Sequence, residues 1–224
     1  MNLYFISGLG ADKRIFRKLI LPESYTIHHM DWAPVTKTES IESYCEKLSL
    51  QIDQSLPFIL VGLSFGGLIA IELSRKLKPV QTIIISSFCF KKEVPAYYIL
   101  MGKLRIHRLI TSKFLLRPAG LMFRIMGAKN ADEKNLLSNI LKETDPHFLK
   151  WAINQLFSWD NTWQPENFLH IHGTADKLLP MKANMNAIAV EGGEHLMVYS
   201  QAEWVSRILI NNLKSAPLNL PNKI

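Results

Sequence analysis

Short apolar runs alternate with segments of helical spacing along most of this chain. Several runs are almost continuously apolar or β-branched, which is typical of strands in a parallel sheet that is covered on both faces. The pattern therefore predicts an α/β fold with a doubly wound, mostly parallel sheet. Six strands are predicted: a short apolar strand that begins at Phe58, and five others at residues 3–7, 25–30, 82–86, 168–172 and 186–190.

Two segments outside these runs have the spacing of amphipathic helices. In residues 39–53 the apolar side chains recur on one helical face. A last helix is predicted near Ser200, because Ser200 and Glu203 have the spacing of a capping box. The tail from Ser215 is expected to fray. The apolar positions of the last helix are Trp204, Val205, Ile208, Leu209 and Leu213.

The alternation of strands and helices stops after Ser87 and resumes near Asn167. The residues between are helix-like, basic in their first half and rich in Met, Phe and Trp. We interpret residues 88–165 as an inserted helical lid within a single domain, residues 1–224, since a chain of this length usually forms one domain. Four prolines are expected to divide the lid into helices, at positions 95, 118, 146 and 165.

Composition restricts the class of protein. Hydrophobic residues make up 48% and charged residues 20% of the chain, which excludes a mainly disordered protein. The apolar runs are far too short to cross a bilayer, and the first residues lack the pattern of a signal peptide, so a cytoplasmic protein is predicted. Cys45 and Cys89 are expected to be buried packing residues, and no Cys/His spacing resembles a zinc site. No metal is expected.

The positive charge is concentrated in one segment. The net charge is +7, and residues 91–130 alone carry nine Lys or Arg against the single acid Glu93. This pattern favours an amphipathic helical region over a nucleic-acid-binding surface, and two interpretations stay open: weak association with an anionic membrane or amphiphile, or a solvated helix face. The interleaved apolar residues are Leu104, Ile106, Leu109, Ile110, Phe114 and Leu115.

The third predicted strand ends in a turn that can present a nucleophile. Ser64 lies in Gly62-Leu63-Ser64-Phe65-Gly66, between an apolar strand and a helix-forming segment. Gly62 and Gly66 lack the Cβ atoms that would block a sharp turn. The pattern is common by chance, and its alternative interpretation is an ordinary glycine turn.

Loops after other predicted strands provide the groups that a serine nucleophile needs. His195 follows the last strand in a glycine-rich loop, where it would accept the serine proton and return it to the leaving group. Asp176 follows the preceding strand and would fix the tautomer of His195. The alternatives are a surface histidine and a turn aspartate.

The loop after the first strand is the candidate oxyanion site. Its glycines, Gly8 and Gly10, let the backbone approach a substrate, and the N–H groups of Leu9 and Phe65 are the predicted donors. The loop lacks the spacing and the downstream acid of a dinucleotide-binding fingerprint, so no cofactor is expected.

With a serine, an acid and a histidine in this order, the chain resembles the α/β-hydrolase family over nearly its whole length. The resemblance implies that Ser64 is the nucleophile, Asp176 the orienting acid and His195 the base, with a helical lid between the fourth and fifth strands. The sequence departs from the family in two ways. The two leading antiparallel strands are missing, which leaves about six strands, and Ser7-Gly8 stands where the family commonly has His-Gly.

A serine nucleophile forms an acyl-enzyme, so the predicted function is hydrolysis of a carboxylic ester or thioester of a small apolar acyl group. Two alternatives stay open: a carbon–carbon bond hydrolase or cofactor-pathway lyase on the same triad, and a non-catalytic binding protein of the same fold. The predicted partner is a small-molecule substrate and not a nucleic acid, while the oligomeric state is open. Lid side chains are expected to form an apolar acyl pocket, although about half belong to the core instead: Tyr97, Tyr98, Phe114, Met122, Phe123, Met126, Trp159 and Trp163.

Overall fold

The computed structural model describes residues 1–104 and 120–213. Its six strands form one sheet in the spatial order β2-β1-β3-β4-β5-β6, and all neighbouring pairs are parallel. The predicted fold class is confirmed, and every predicted strand lies within two residues of its observed bounds. The strands are β1 (Asn2–Ile6), β2 (Thr26–His29), β3 (Phe58–Leu63), β4 (Gln81–Ile85), β5 (Phe168–Gly173) and β6 (Ile188–Val190).

Helices cover both faces of the sheet because successive strand residues point to opposite sides. In β1, Tyr4 and Ile6 pack in one apolar cluster, whereas Leu3 and Phe5 pack in a second one. The helices in the described residues are α1 (Ile41–Ser49), α2 (Phe65–Leu77), α3 (Ala96–Lys103), α4 (Gly120–Met126), α5 (Ala131–Glu143), α6 (Pro146–Ser158), α7 (Met197–Ser200) and α8 (Ala202–Leu213). Helices α1 and α2 belong to the first cluster, and α8 belongs to the second.

The chain reverses its direction of travel across the sheet at β1. Strand β2 lies on one side of β1, and β3 to β6 lie on the other. In open α/β sheets, ligands bind outside the carboxyl ends of the strands at such a switch point. The loops after β1 and β3 meet at this place.

Two helix predictions need correction. Helix α1 begins after Ser40, whose side chain accepts the N–H of Ser43, and it ends at Ser49 instead of continuing to residue 53. The capping box at Ser200 is wrong, because Ser200 belongs to α7 and its hydroxyl donates to the carbonyl of Leu196. In α8, Trp204 is exposed, while Val205, Leu209 and Leu213 are buried.

The chain between β4 and β5 is helical in its described part. A short 3-10 turn at Lys91–Glu93 precedes helices α3 to α6, and Pro95 and Pro146 lie at the starts of α3 and α6. Within the described residues, every helix is too short or too polar to span a membrane. Several sequence predictions fall outside the described residues: Ile106, Leu109, Ile110, Phe114, Leu115, Pro118 and the tail from Ser215.

Candidate active site

Strand β3 passes into helix α2 through a strained turn at Ser64. This residue has φ 52° and ψ −119°, a conformation that L-residues rarely adopt. The turn is tight, because a Cβ at Gly62 would lie 2.2 Å from the carbonyl oxygen of Gly66, and a Cβ at Gly66 would lie 2.3 Å from that of Ile6. Neither position has room for a side chain, so close packing of the backbone accompanies the strained turn at Ser64.

The structure places Ser64, His195 and Asp176 in one hydrogen-bonded chain. The Nε2 of His195 lies 3.0 Å from the Oγ of Ser64, and its Nδ1 lies 2.8 Å from the Oδ2 of Asp176. Because a carboxylate can only accept, Nδ1 carries the ring proton, and Nε2 presents its lone pair to the serine hydroxyl. The three side chains come from the loops after β3, β5 and β6.

Asp176 is buried but strongly hydrogen-bonded. Its Oδ1 accepts the N–H groups of Leu178 at 2.9 Å and Leu179 at 2.8 Å, while its Oδ2 faces His195. Burial alone would raise the pKa of Asp176, but the attraction and hydrogen bond of His195 and the N–H of Leu179 hold this pKa below its ordinary value. The acid is therefore ionised when it orients the histidine.

Two further histidines support the loop that carries Asp176, and the sequence analysis missed both. The Nε2–H of His172 donates to the carbonyl of Leu179 at 2.7 Å, so its Nδ1 accepts from the Nε2 of His170 at 3.1 Å. Burial lowers the pKa of His170 to about 3 and also lowers that of His172. Their alternation in β5, directly before the acid loop, is the sequence signal that places both on one face of the strand.

The loop after β1 lies against the nucleophile. A Cβ at Gly8 would come within 3.2 Å of the Cβ of Ser64. Ser7 is buried, and its hydroxyl donates to the carbonyl of Ala11 at 2.7 Å, so it shapes this loop instead of pointing at a substrate. Phe65 is the first residue of α2, where backbone N–H groups lack intrahelical acceptors. The oxyanion role of Leu9 and Phe65 stays a prediction.

Ser64 and His195 line an apolar cavity with a volume of about 270 Å³. Tyr98 is the one other polar side chain among the described lining residues, and its hydroxyl donates to the carbonyl of Leu178 at 3.1 Å. Among the described residues, the helices and loops that line the cavity contribute Leu9, Ile15, Phe65, Phe88, Met122, Met126, Leu137, Leu141, Leu149, Ile153, Leu156, Phe157, Leu178, Leu179 and Leu196.

The predicted lid contacts divide between this cavity and other places. Tyr98, Met122 and Met126 line the cavity. Phe114 lies outside the described residues, and the other four lie elsewhere. Tyr97 is half-exposed on α3, Phe123 packs against the second apolar cluster, Trp159 donates its indole N–H to the Oε1 of Glu72 at 2.7 Å, and Trp163 lies under the guanidinium of Arg75.

Six apolar residues of the cavity wall come from α5 and α6, which the sequence analysis did not assign to the site. Leu137 and Leu141 are four residues apart on α5, and Leu149, Ile153 and Leu156 have the same helical spacing on α6. Such spacing identifies an apolar face, but a face that borders a cavity has the same pattern as one that packs in a core.

The cysteines have a structural role. Cys45 and Cys89 are both buried and free, and burial raises the pKa of both thiols, that of Cys89 to about 12. Neither is suited to act as a nucleophile. Residues 1–104 and 120–213 hold no group of three His, Cys, Asp or Glu side chains arranged for a metal ion.

Comparison with known proteins identifies the fold. An esterase from Thermogutta terrifontis has a TM-score of 0.70 at 13% identity, covering 96% of this chain and 90% of the esterase. MenH from S. aureus has a TM-score of 0.75 at 15% identity, covering 96% and 94%. ClbQ from the colibactin NRPS/PKS pathway has a TM-score of 0.66 at 14% identity, covering 96% and 97%. The chain therefore has the α/β-hydrolase fold.

Sequence comparison reaches a smaller part of the chain. No family model matches it. The nonribosomal peptide synthetase AgiA of Aspergillus flavus is 31% identical over 70 residues. This match covers 29% of the chain and 1% of that synthetase.

Proposed function

We propose that the protein is a serine hydrolase that cleaves a carboxylic ester or thioester of an apolar acyl group. The observation that carries this proposal is the hydrogen-bonded chain Ser64–His195–Asp176 at the wall of an apolar cavity. The structural similarity to an esterase and to a protein of an NRPS/PKS pathway supports it.

The reaction proceeds in two halves. The Oγ of Ser64 attacks the carbonyl carbon while the Nε2 of His195 takes its proton. The bond from this carbon to the leaving oxygen or sulfur then breaks, and the leaving group receives the proton from His195. Water attacks the acyl-enzyme and gives a proton to His195, which returns it to Ser64 as the carboxylic acid leaves.

The oxyanion of each half-reaction would lie between the N–H groups of Leu9 and Phe65. One such donor contributes about 2.7–4 kcal/mol to transition-state stabilisation in enzymes of this kind. Both groups are close to the nucleophile, because Leu9 follows Gly8, which abuts the Ser64 side chain, and Phe65 follows Ser64 in the chain.

The cavity favours an apolar acyl chain of medium length. A group of water size takes about 30 Å³, so a cavity of 270 Å³ has room for about nine methylene-sized groups. Among the described residues, no Lys or Arg lines the cavity, and the lining side chains are apolar except for those of Ser64, Tyr98 and His195. This lining favours an apolar acyl group.

The test is a series of p-nitrophenyl esters and acyl-coenzyme A thioesters of graded chain length. We expect a maximum of kcat/KM at about six to ten acyl carbons and no activity in Ser64→Ala, whose fold is checked by circular dichroism. Activity that survives in Ser64→Ala removes this serine from the mechanism. A fluorophosphonate probe distinguishes a non-catalytic binding protein, because an absence of adduct on Ser64 in the folded protein contradicts the hydrolase.

A further inference from the structure

A second pocket lies on the other side of helix α4 from the apolar cavity. Met122 and Met126 of this helix line the cavity, whereas Phe123 and Arg124 line the second pocket, which has a volume of about 560 Å³. We call it the basic pocket, because its charged lining residues are Arg124, Lys129, Lys134, Lys177 and Glu194.

Four cations in the basic pocket face one carboxylate. Glu194 is buried, and its two oxygens accept from Lys177 at 2.5 Å and from Lys129 at 2.8 Å. Within the described part of the chain, the exposed Arg124 and Lys134 have no carboxylate within ion-pair distance. Residues 105–119 and 214–224 contain no Asp or Glu, so their side chains provide no carboxylate either. The lining therefore has a net charge of three positive units.

The basic pocket adjoins the catalytic loops. Lys177 directly follows Asp176, and Glu194 directly precedes His195. The pocket is separated from the cavity by α4, and a helix with its side chains is about 10–12 Å across. A leaving group that reaches from Ser64 to the pocket must be a long arm with an anionic end.

We propose that the basic pocket binds the phosphate of a phosphopantetheine thioester, with the acyl chain in the apolar cavity and the thioester carbonyl at Ser64. A pantetheine arm holds two amide units in series and is longer than one helix diameter. Its phosphate is an anion that Arg and Lys bind through charge-assisted hydrogen bonds. The assignment rests on the proposed hydrolase function and specifies its leaving group.

The site also accounts for part of the basic segment recognised in the sequence. Arg124 and Lys129 belong to residues 91–130, and Lys134 lies near the start of α5. These three cations and Lys177 line the same pocket.

The test compares octanoyl-pantetheine, octanoyl-4′-phosphopantetheine and octanoyl-coenzyme A as substrates. For the wild type we expect KM to be about tenfold lower for the two phosphorylated thioesters, which corresponds to about 1.4 kcal/mol. The double variant Arg124→Glu/Lys134→Glu removes this difference, because it raises KM for the two phosphorylated thioesters and not for octanoyl-pantetheine. The matched control, Lys37→Glu/Lys150→Glu, has the same charge change at two exposed positions outside the pocket and keeps the difference.

Equal KM values for pantetheine and phosphopantetheine thioesters in the wild type overturn the proposal, as does a phosphate preference that survives the charge reversal. Octanoyl carrier protein is assayed beside octanoyl-coenzyme A. The substrate with the lower KM identifies which of the two molecules supplies the pantetheine arm. A third assay measures binding of the protein to vesicles that contain phosphatidylserine. If the wild type binds them, the double variant does not, and coenzyme A fails to displace the wild type, the pocket binds a membrane and the proposal is overturned.

The failure of the hydrolase proposal is distinguishable from the failure of this one. If the wild type cleaves no ester or thioester, the hydrolase proposal fails, and calorimetric titration with coenzyme A itself still tests the pocket without any chemistry. Tighter binding to the wild type than to the double variant supports the phosphate site, and the same affinity for both contradicts it.

Discussion

The two walls of the apolar cavity are built in different ways. At the carboxyl edge of the sheet, the loops after β3, β5 and β6 hold Ser64, Asp176 and His195 through hydrogen bonds whose donors and acceptors are each determined. The helical wall from α4, α5 and α6 presents leucine, isoleucine, methionine and phenylalanine side chains that touch each other through apolar contacts. We therefore expect large losses of activity from substitutions in the sheet wall and smaller, graded changes of activity from substitutions in the helical wall.

The largest expected effect is at the acid. Asp176→Asn leaves the shape of the side chain but replaces an acceptor facing the Nδ1 of His195 with an amide that can donate. This change favours the wrong tautomer, and kcat for a p-nitrophenyl ester should fall by about 10⁴-fold. Asp160→Asn, at an exposed aspartate outside the site, should have no such effect. A decrease of less than tenfold in Asp176→Asn would mean that Asp176 does not orient the histidine.

The buried histidines make the sheet wall sensitive to acid. The pKa of His170 is about 3 in the folded protein and 6.5 in the absence of burial. Between pH 6.5 and pH 3 the unfolded chain therefore binds a proton at this residue that the folded protein does not bind. Its contribution to stability is complete above pH 6.5 and is lost as the pH falls toward 3. Between pH 7.5 and pH 5 the wild type should lose about 2 kcal/mol through this group.

Urea unfolding at the two pH values measures this loss in the wild type and in His170→Gln, which keeps a donor for His172. The variant should lose less stability on acidification than the wild type, whereas His147→Gln, at an exposed histidine, should follow the wild type. Parallel pH dependence in the wild type and in His170→Gln would show that His170 is not the acid-sensitive group.

On the helical wall, a larger side chain should change the substrate preference and leave the chemistry intact. Ile153→Phe adds volume in the cavity and should lower kcat/KM for decanoyl esters about tenfold or more relative to butanoyl esters, because one misfitting methylene costs about 1–3 kcal/mol. Ile20→Phe, at a position that is 74% exposed, is the control and should leave the preference as it is. A loss of activity that is equal for all chain lengths would place Ile153 in the catalytic machinery instead.

The same difference between the walls explains what the sequence could predict. Ser64, Asp176 and His195 each follow a strand of a parallel sheet, and strand order alone brings such loops to one edge. The cavity wall depends on how helices pack in three dimensions. Trp159 and Trp163 look like pocket residues by type, yet a bond to Glu72 and a contact with Arg75 hold them elsewhere. Leu141 and Leu149, which line the cavity, cannot be distinguished from core leucines by periodicity.

The smallest expected effect concerns a contact that joins the two walls. Glu194, next to His195, binds Lys177 of the acid loop and Lys129 at the α4–α5 turn, and Gly127 has no room for a Cβ, which would lie 2.4 Å from the Cβ of Glu194. Glu194→Gln keeps the shape of the side chain but removes its charge. Each ion pair is modest in energy because both lysines are exposed to solvent. We expect kcat to fall about threefold, with a loss of stability of about 1 kcal/mol in urea.

Glu203→Gln removes a carboxylate from an exposed ion pair with Arg207 on α8 and is the matched control, with no change in kcat. Because Lys177 and Lys129 lie on different walls, single variants separate their roles. Lys177→Met should reproduce the decrease in kcat, since it weakens the contact between the loop that carries Asp176 and the loop that carries His195. Lys129→Met should instead raise KM for long acyl chains, because it loosens α4 over the cavity. If both variants changed kcat and KM alike, the sheet wall and the helical wall would respond as one unit, and the distinction between them would fail at this contact.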